Sequence, residues 1–430
     1  MTADNRASGS PSESAGQNVG APAPPTRAGR IEAIDGFRAL AMLMVLLYHS
    51  WEFSGSPTLE LHLGSWHPDL FGLLRGNTRV DLFVVLSGFC LFLPLSRKPE
   101  ALGNWDWKSY SRRRLRRIVP AYYAALAYAV LLPVILVALL KALHREASWQ
   151  AWPSAGQWVS HLLFLHNFST KTWNGINGSL WTMSLEMQFY VAFPLLVIGL
   201  RHFGIRFLGF IIALSVLYRM IAGILVAGQP NDVRFLFEVF FVGRWMQFVL
   251  GMLACWLVMR YRARNHWLGA RQSSLALLLA GSFYLLAVSD LGQEPPGHFP
   301  LREVGLGLAF ALAIGVVCTS HTPLRVLLEN KLVTSIGFIS YSVFLIHQPT
   351  VYYLSQFLSK VLHIGDGVLL FCVLAIVGFA IVLPLGYGFF LLFERPVLLP
   401  EGRKKEKFDL RRKSAAPEPL FLWKIIDRKR

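Results

Sequence analysis

The 430-residue sequence is poor in charge, in cysteine and in the short motifs of soluble enzymes. Only 16% of its residues are charged and 54% are hydrophobic, a balance that excludes an ordinary soluble domain. Its four cysteines lie inside apolar segments at no metal-like spacing, so neither a disulfide framework nor a metal site is predicted. No HExxH, P-loop, GxSxG or dinucleotide fingerprint stands in a suitable context. The composition therefore predicts a polytopic membrane protein.

The formal net charge of +17 raises the question of a nucleic-acid partner. Most of the arginines, however, stand in short runs between apolar segments, as they do in the cytoplasmic loops of membrane proteins. We therefore predict that the positive charge serves the interaction with the lipid bilayer and that the protein binds no nucleic acid.

Apolar segments long enough to cross a bilayer recur along the whole chain. An additional stretch at 157–168, QWVSHLLFLHNF, is too short and too polar to cross alone, which predicts a re-entrant or interfacial helix. The ten predicted spans lie near residues 34–54, 80–96, 118–140, 180–200, 206–227, 237–259, 272–290, 304–320, 336–357 and 366–393.

The distribution of lysine and arginine predicts the orientation of these spans. The loops at 97–117 and 260–271 are basic, as is the C-terminal tail, whereas the alternate connections carry fewer positive charges for their length. The fold class is thus an all-α polytopic membrane protein with ten transmembrane helices, one short re-entrant or interfacial helix, and both termini in the cytoplasm. A spanning 157–168 would move the second basic loop and the tail outside, which the charge rule disfavours.

Both ends of the chain differ in composition from the membrane domain at 31–400. Residues 1–30 are rich in Ala, Ser, Gly and Pro and have few bulky apolar side chains, which predicts a disordered tail. They lack the apolar core of a signal peptide, so the first span must direct insertion. Residues 401–430 are mostly charged and predict a basic cytoplasmic tail that acts as a topology signal and rests on anionic lipid.

The first span, with the sequence FRALAMLMVLLYHS at 37–50, contains an arginine and a histidine. Arg38 and His49 are eleven residues apart, about three helical turns plus roughly 20°, so they lie on one stripe separated by roughly 16 Å. In one interpretation, Arg38 snorkels to a headgroup layer and His49 is a core residue with satisfied hydrogen bonds. The other is a functional site, which ionisable residues inside spans mark by default.

Four other spans carry polar side chains, and each also has a structural interpretation. Asp81 and Arg244 either pair with each other or serve an acceptor site, and Ser87 stands in LSGFC, where Gly88 suits close helix packing. By depth we place Glu186 in the outer half beside His49, where it either orients that histidine or fastens helices.

His347 precedes Pro349 near the middle of the ninth span. It either belongs to the acceptor site or bonds the backbone that the proline frees. The choice between these two roles stays open at the level of sequence.

These residue types suggest acyl or phosphoryl transfer. A partly buried imidazole accepts a proton from a hydroxyl nucleophile, and clustered arginines hold the phosphates of an activated donor. An arginine cluster begins the third span, within reach of Arg38. It consists of Arg112, Arg113, Arg114, Arg116 and Arg117.

Taken together, seven stretches resemble the acyltransferase-3 family of integral-membrane acyltransferases over roughly residues 31–397. They are IDGFRALAMLMVLLYHS, RVDLFVVLSGF, RRRLRRIVPAYY, SLWTMSLEMQFY, FVLGMLA, ISYSVFLIHQP and FERP, in the order in which the family has them.

The resemblance assigns roles to individual residues. The family's arginine–histidine motif falls on Arg38 and His49, and its acidic residue before Gln-Phe-Tyr is Glu186. Its Arg-x-x-Arg motif fits Arg114 and Arg117, although Arg113 and Arg116 offer a second register. The resemblance thus implies His49 and Glu186 as catalytic residues, and Arg38, Arg114 and Arg117 as donor ligands. Family members often carry a second acidic residue where this chain has Met187, so Glu186 stands alone.

The resemblance also implies an activity. It is O-acyl transfer, commonly of acetyl, from cytoplasmic acyl-CoA as co-substrate to a hydroxyl of a surface polysaccharide, lipid-linked sugar or other acceptor, with no bound cofactor or metal. The resemblance places such a protein in the plasma membrane or the bacterial inner membrane. Some relatives carry a fused extracytoplasmic hydrolase-like domain that this sequence does not show, which implies a one-protein route to the acceptor.

Two other classes of function use similar residues. A proton-coupled transporter would employ intramembrane His, Glu and Arg as a relay, but transporters are often built from repeated halves, and the sequence has no internal symmetry. A membrane scaffold or sensor would leave the stripe of Arg38 and His49 without a use.

Overall fold

A computed structural model describes residues 31–62, 69–74, 78–97, 103, 105–144, 152–289 and 298–398. The predicted tails at 1–30 and 401–430 lie outside these described residues. Within the described ranges the chain is helical, and its β-pairing is limited to two isolated bridges, Glu60 with Asp69 and Leu268 with Ser320. The all-α fold class is confirmed.

Fourteen α-helices and one π-helical turn make up the described part of the chain. Short 3₁₀ turns at Leu70–Leu74, His166–Phe168 and Gly178–Leu180 join some of them. The helices are α1 (Glu32–Glu52), α2 (Thr78–Arg97), α3 (Trp107–Ala142), α4 (Ala155–Leu162), α5 (Trp181–Phe203), α6 (Arg206–Leu225), α7 (Asn231–Val239), α8 (Phe241–Ala263), α9 (Ala270–Val288), α10 (Leu301–Thr319), α11 (Pro323–Leu328), α12 (Lys331–Lys360), α13 (Val368–Phe389) and α14 (Arg395–Leu398), with the π-helical turn Phe390–Glu394 between the last two.

Ten helices among the described residues are long and apolar enough to cross a membrane, and each coincides with one of the predicted spans. The chain is therefore a multi-pass membrane protein. The stretch at 157–168 forms the short helix α4 and a 3₁₀ turn, which are too short to span. The cytoplasmic location of both termini stays a prediction.

Helix α3 begins earlier than its apolar segment suggests, at Trp107 rather than near 118. The side chain of Asp106 caps it by accepting a hydrogen bond from the backbone N–H of Ser109 at 3.1 Å. Arginine is a good helix former, so the run SRRRLRR continues the same helix instead of forming a loop. The basic run consequently presents its side chains in a fixed helical register.

Small residues bring the central helices into backbone contact. A side chain at Gly88 in α2 would clash with the carbonyl of Phe248 in α8, and one at Gly337 in α12 would clash with the carbonyl of Asp35 in α1. Glycine at these positions lets the helices approach closely, as in other membrane bundles. The packing role predicted for the LSGFC stretch is confirmed.

Burial separates the inner helices from the outer ones. In the spanning windows 67% of α1 and 72% of α2 is buried, compared with 17% of α9. A polar side chain on α1 or α2 therefore lies inside the bundle rather than in lipid, and it needs a partner there.

Candidate active site between α1, α2, α3, α5 and α12

A cavity of about 130 Å³ opens between five of the spanning helices. Val84, Leu86 and Phe189 are among the apolar side chains of its wall. Its lining also includes the polar or ionisable side chains of Arg38, Ser87, Cys90, Arg114, Arg117, Glu186, Tyr190, Ser340 and Tyr341. Three arginines thus face one space, which is the arrangement expected of an anion site.

Arg38 projects into this cavity from the second turn of α1. Its Nη1 lies 3.4 Å from Asp35 Oδ1, and its Nη2 donates to Cys90 Sγ at 3.4 Å. A guanidinium has five N–H donors, so these two contacts leave others for a ligand. The Arg38 side chain is 28% exposed, and such partial exposure suits both a snorkelling arginine and a ligand-binding one.

The structure places only one of the two possible Arg-x-x-Arg registers at the cavity. Arg114 and Arg117 line it, whereas Arg113 and Arg116 are exposed on the other faces of α3. The guanidinium carbon of Arg114 lies 5.6 Å from the ring centroid of Tyr190. The register that the family resemblance favours is the one that faces Arg38.

Glu186 lies with the arginines and not beside His49. It lines the same cavity as Arg38, and its carboxylate accepts a hydrogen bond from the hydroxyl of Tyr190, one turn along α5. The expected position at the outer level beside His49 needs correction, because counting residues from the end of a span does not fix the depth of a side chain in the bundle.

Two neighbours of Glu186, Ser184 and Gln188, hold α5 in place through hydrogen bonds. The hydroxyl of Ser184 and the amide of Gln188 both donate to Asn167 Oδ1, the amide at 2.9 Å. These bonds tie α5 to the turn that follows α4. Glu186 is thereby left facing the cavity.

The carboxylate that contacts His49 is Glu52, three residues later on the same face of α1. His49 Nδ1 lies 2.7 Å from Glu52 Oε2. Because an ionised carboxylate only accepts hydrogen bonds, Nδ1 carries the proton and Nε2 presents its lone pair. Glu52 was not among the predicted site residues, although a histidine and a carboxylate at i and i+3 share a helix face.

Two further side chains complete the surroundings of His49. The hydroxyl of Tyr48 donates to Glu52 Oε1 at 3.3 Å, and the guanidinium carbon of Arg79 lies 3.3 Å from the centroid of the Tyr48 ring. His49 itself is only 6% exposed. This network holds the imidazole in one orientation.

His347 lies next to His49. The two ring centroids are 5.0 Å apart, and Nδ1 of His347 lies 2.5 Å from the carbonyl oxygen of Phe344. The predicted bond from His347 to the backbone that Pro349 frees is wrong: the freed carbonyl is that of Leu345, and it accepts from Asn177 Nδ2 at 3.4 Å. His347 is fully buried, and its Nε2 has no hydrogen-bond partner within the described chain.

The aromatic side chain of Phe344 connects the cavity wall with the two histidines. Phe83 and Phe344 both line the cavity, and their ring centroids are 5.9 Å apart. The ring of Phe344 is in turn 5.2 Å from that of His347. Phe344 thus joins the wall of the cavity to His347, which in turn contacts His49.

Asp81 and Arg244 form an ion pair between α2 and α8, each with a side chain only 2% exposed. Gln247 adds a hydrogen bond to Asp81 Oδ1 at 2.9 Å. The predicted pairing of these two residues is confirmed. The pair joins α2 to α8 inside the bundle, where removal of one partner would leave the other charge buried and unpaired.

A second pair of buried histidines lies outside the spanning helices. The rings of His161 and His166 stack with centroids 4.1 Å apart and an angle of 6° between their planes. Burial lowers the pKa of both imidazoles, that of His166 to about 3. Each therefore stays neutral, with one ring nitrogen bonded to the carbonyl of Gln157 or of Leu180 at 2.8 Å.

The acyltransferase-3 family model, described as an acyltransferase domain, matches residues 31–387. The chain belongs to this family. The resemblance noted in the sequence is therefore confirmed, and the matched range contains Arg38, His49, Arg114, Arg117 and Glu186.

Three similar proteins illustrate the range of the family. A Bacillus subtilis protein named "Putative peptidoglycan O-acetyltransferase YrhL" is 25% identical over 383 residues, which cover 85% of this chain and 55% of the relative. A Listeria monocytogenes peptidoglycan O-acetyltransferase is 29% identical over 171 residues, 38% of this chain and 24% of the relative. The "Regulator of hypoxia-inducible factor 1" of Caenorhabditis elegans is 30% identical over 192 residues, 42% of this chain and 36% of the relative.

This acyltransferase-family chain spans at most about half the length of these curated relatives. No solved structure gives a significant match to it. The geometry of its own site therefore carries the functional argument. That geometry joins a cavity able to bind an anionic ligand to an imidazole able to accept a proton.

Proposed function

We propose that the protein is a membrane O-acyltransferase that moves a short acyl group, in the simplest case acetyl, from cytoplasmic acyl-CoA to a hydroxyl group of a cell-envelope glycan. The observation that carries the proposal is a cavity with three arginines whose wall, at Phe344, adjoins His347 and through it the His49–Glu52 pair. Membership of the acyltransferase family supports it, and so do the names of the bacterial relatives.

The arginines define the donor end of the proposed site. Acyl-CoA carries phosphates at one end and its thioester at the other, and guanidinium groups bind phosphate through paired N–H donors. Arg38, Arg114 and Arg117 would hold those phosphates, while Ser87 lies in the wall of the same cavity. Glu186 and Tyr190 would orient Arg114, whose guanidinium lies over the Tyr190 ring.

His49 is the proposed general base. Its Nε2 takes the proton of the acceptor hydroxyl as that oxygen attacks the thioester carbonyl. The carbon–sulfur bond then breaks, an ester forms, and the imidazolium returns its proton to the departing CoA thiolate. Glu52 stabilises the imidazolium through Nδ1–H throughout, so it takes the carboxylate role first expected of Glu186.

His347 is proposed to position the acceptor. Its Nδ1 donates to the Phe344 carbonyl, so its Nε2 presents a lone pair in a fully buried place beside His49. A buried acceptor without a donor is costly, and a substrate hydroxyl would supply the missing donor. The acceptor is thus expected to be a compound rich in hydroxyl groups, such as a glycan.

The direct test uses the full chain in lipid nanodiscs with acetyl-CoA. We expect time-dependent release of free CoA and, with a chito-oligosaccharide as the acceptor probe, an added mass of one acetyl group per product. Release of CoA should be lost in His49→Gln. Wild-type protein that neither binds nor consumes acetyl-CoA would contradict the proposal, and proton-driven flux in that case would favour a transporter.

A covalent mechanism would pass the acyl group through the histidine itself. Intact-protein mass after incubation with acetyl-CoA alone separates the two routes. The proposed general-base mechanism predicts an unmodified protein mass. A gain of one acetyl group that disappears in His49→Gln would assign the covalent route.

A further inference from the structure

The last spanning segment departs from α-helical geometry at its C-terminal end. Helix α13 ends at Phe389 and is followed by the π-helical turn Phe390–Glu394. Such turns hold one extra residue, are rare, and occur frequently at functional sites. The proposed function leaves this turn, and the FERP stretch at 393–396, without a role.

The extra residue changes which side chain faces the bundle. The buried residues of α13 form a stripe that includes Val382, Gly386 and Phe389. At about 100° per residue an uninterrupted α-helix would bring Phe393 to the centre of that stripe. Instead Phe393 is 38% exposed and Glu394 is 1% exposed. The π-helical turn therefore places a carboxylate where an apolar side chain would otherwise lie.

The carboxylate of Glu394 has two described partners. Ser342 Oγ donates to Oε2 at 2.8 Å, and Arg117 Nη2 lies 3.6 Å from Oε1. A buried charge is costly unless it is paired, and Oε1, which has no hydrogen-bond partner among the described residues, faces the Arg117 guanidinium as its ion-pair partner. Arg117 is one of the arginines that line the cavity.

A third contact reaches the backbone next to Arg117. The hydroxyl of Tyr341, the neighbour of Ser342, donates to the carbonyl oxygen of Ile118 at 3.1 Å. Tyr341 also lines the cavity. Helix α12 and the π-helical turn thus hold both the main chain and the guanidinium of α3 at the same point.

We infer that Glu394 is a positioning residue for the donor: it fixes the Arg117 guanidinium so that the remaining N–H groups of that side chain meet a phosphate of acyl-CoA. The inference rests on the proposed function, because it takes Arg117 as a donor ligand. A long side chain that is already held in its binding orientation loses less freedom when the ligand arrives. Loss of Glu394 should therefore weaken donor binding.

The test measures acetyl-CoA affinity of the full chain in nanodiscs for wild type, Glu394→Gln, Arg117→Lys and the double variant. Glu394→Gln keeps the size of the side chain and removes its charge. We expect it to weaken affinity about tenfold and to raise the KM for acetyl-CoA while kcat changes little. Because both changes act on the same Glu394–Arg117 interaction, the double variant should bind acetyl-CoA about as weakly as whichever single variant binds it less tightly.

Glu303→Gln is the matched control. Glu303 pairs with Arg219 in the same kind of buried ion pair, and neither residue lines the cavity. The control should keep wild-type affinity, whereas a merely structural role of buried glutamates would lower the affinity of both variants alike. Equal losses in Glu303→Gln and Glu394→Gln would overturn the inference.

Ser342→Ala provides a milder change should Glu394→Gln fail to fold. It removes a single hydroxyl and should weaken acetyl-CoA binding about threefold. Wild-type affinity in Ser342→Ala and Glu394→Gln, or fully additive losses in the double variant, would overturn the inference alone. A wild-type protein that does not bind acetyl-CoA would overturn the proposed function and this inference with it.

Discussion

The two ends of α1 carry ionisable side chains in different surroundings. Around Arg38 a cavity is lined by three arginines, and their guanidinium groups keep N–H donors free for a ligand. Around His49 the side chains are packed and bonded to one another, with Glu52, Tyr48 and His347 in contact. One end of α1 is therefore arranged to bind an anion, and the other holds an imidazole in a fixed orientation for proton transfer.

Glu52→Gln should give the largest loss at the histidine end among the changes that spare His49. The amide no longer stabilises an imidazolium, so we expect acyl transfer to fall about 10²-fold or more. Donor binding at the arginine end should not change. Transfer rate and acetyl-CoA affinity measured on one preparation check both statements, and a parallel loss of affinity would erase the distinction between the two ends.

Arg117→Lys should give the corresponding loss at the arginine end. Lysine keeps the charge but not the paired N–H donors, so acetyl-CoA affinity should fall about tenfold, the cost of one charge-assisted hydrogen bond. Arg116→Lys is the matched control, because Arg116 is an exposed neighbour outside the cavity. Equilibrium binding of labelled acetyl-CoA gives both values. Equal losses of affinity in the two variants would mean that the basic run acts only as a topology signal.

His347 offers a sharper division within the histidine end. Asparagine at 347 mimics the Nδ1–H bond to the Phe344 carbonyl, whereas glutamine places a polar group where Nε2 lies. If His347 positions the acceptor, His347→Gln should retain transfer and His347→Asn should lose about five- to tenfold, the value of one neutral hydrogen bond. The opposite order in acceptor KM would assign His347 to holding the helix next to Pro349.

The smallest effect concerns pH and the histidines outside the spans. Burial lowers the pKa of His166 to about 3 from its usual value of 6.5, so its stabilising effect is complete above pH 6.5 and is lost as pH falls toward 3. Each such group costs at most about 1.4 kcal/mol per pH unit in that window. His166→Gln should therefore flatten the fall in unfolding temperature between pH 6.5 and 5, and an unchanged slope would contradict a neutral buried His166.

Hydropathy predicted the spanning helices because each of the ten must satisfy its backbone within a bilayer of fixed thickness. The pairing of Asp81 with Arg244 followed from the cost of burying either side chain alone. These features depend on composition and length, which a single sequence contains.

The contacts of the site depended on the depth and rotation of each helix, which the sequence does not contain. Glu186 was expected beside His49 because residue counts put the two at similar depth, but the structure places it at the cavity with Arg38. Glu52 stands at the end of a span, where a charged residue marks a boundary as readily as a site. The turn that buries Glu394 in place of Phe393 breaks the α-helical period on which such predictions rest.

A division of labour between the two ends of α1, donor binding at one and chemistry at the other, can be tested by one paired measurement. Acetyl-CoA affinity and acyl-transfer rate are measured in nanodiscs for His49→Gln and for the double variant Arg114→Ala with Arg117→Ala. We expect His49→Gln to bind acetyl-CoA as wild type does while its transfer falls about 10²- to 10⁴-fold, and we expect the arginine variant to lose affinity. Transfer by His49→Gln within about tenfold of wild type would contradict this division of labour.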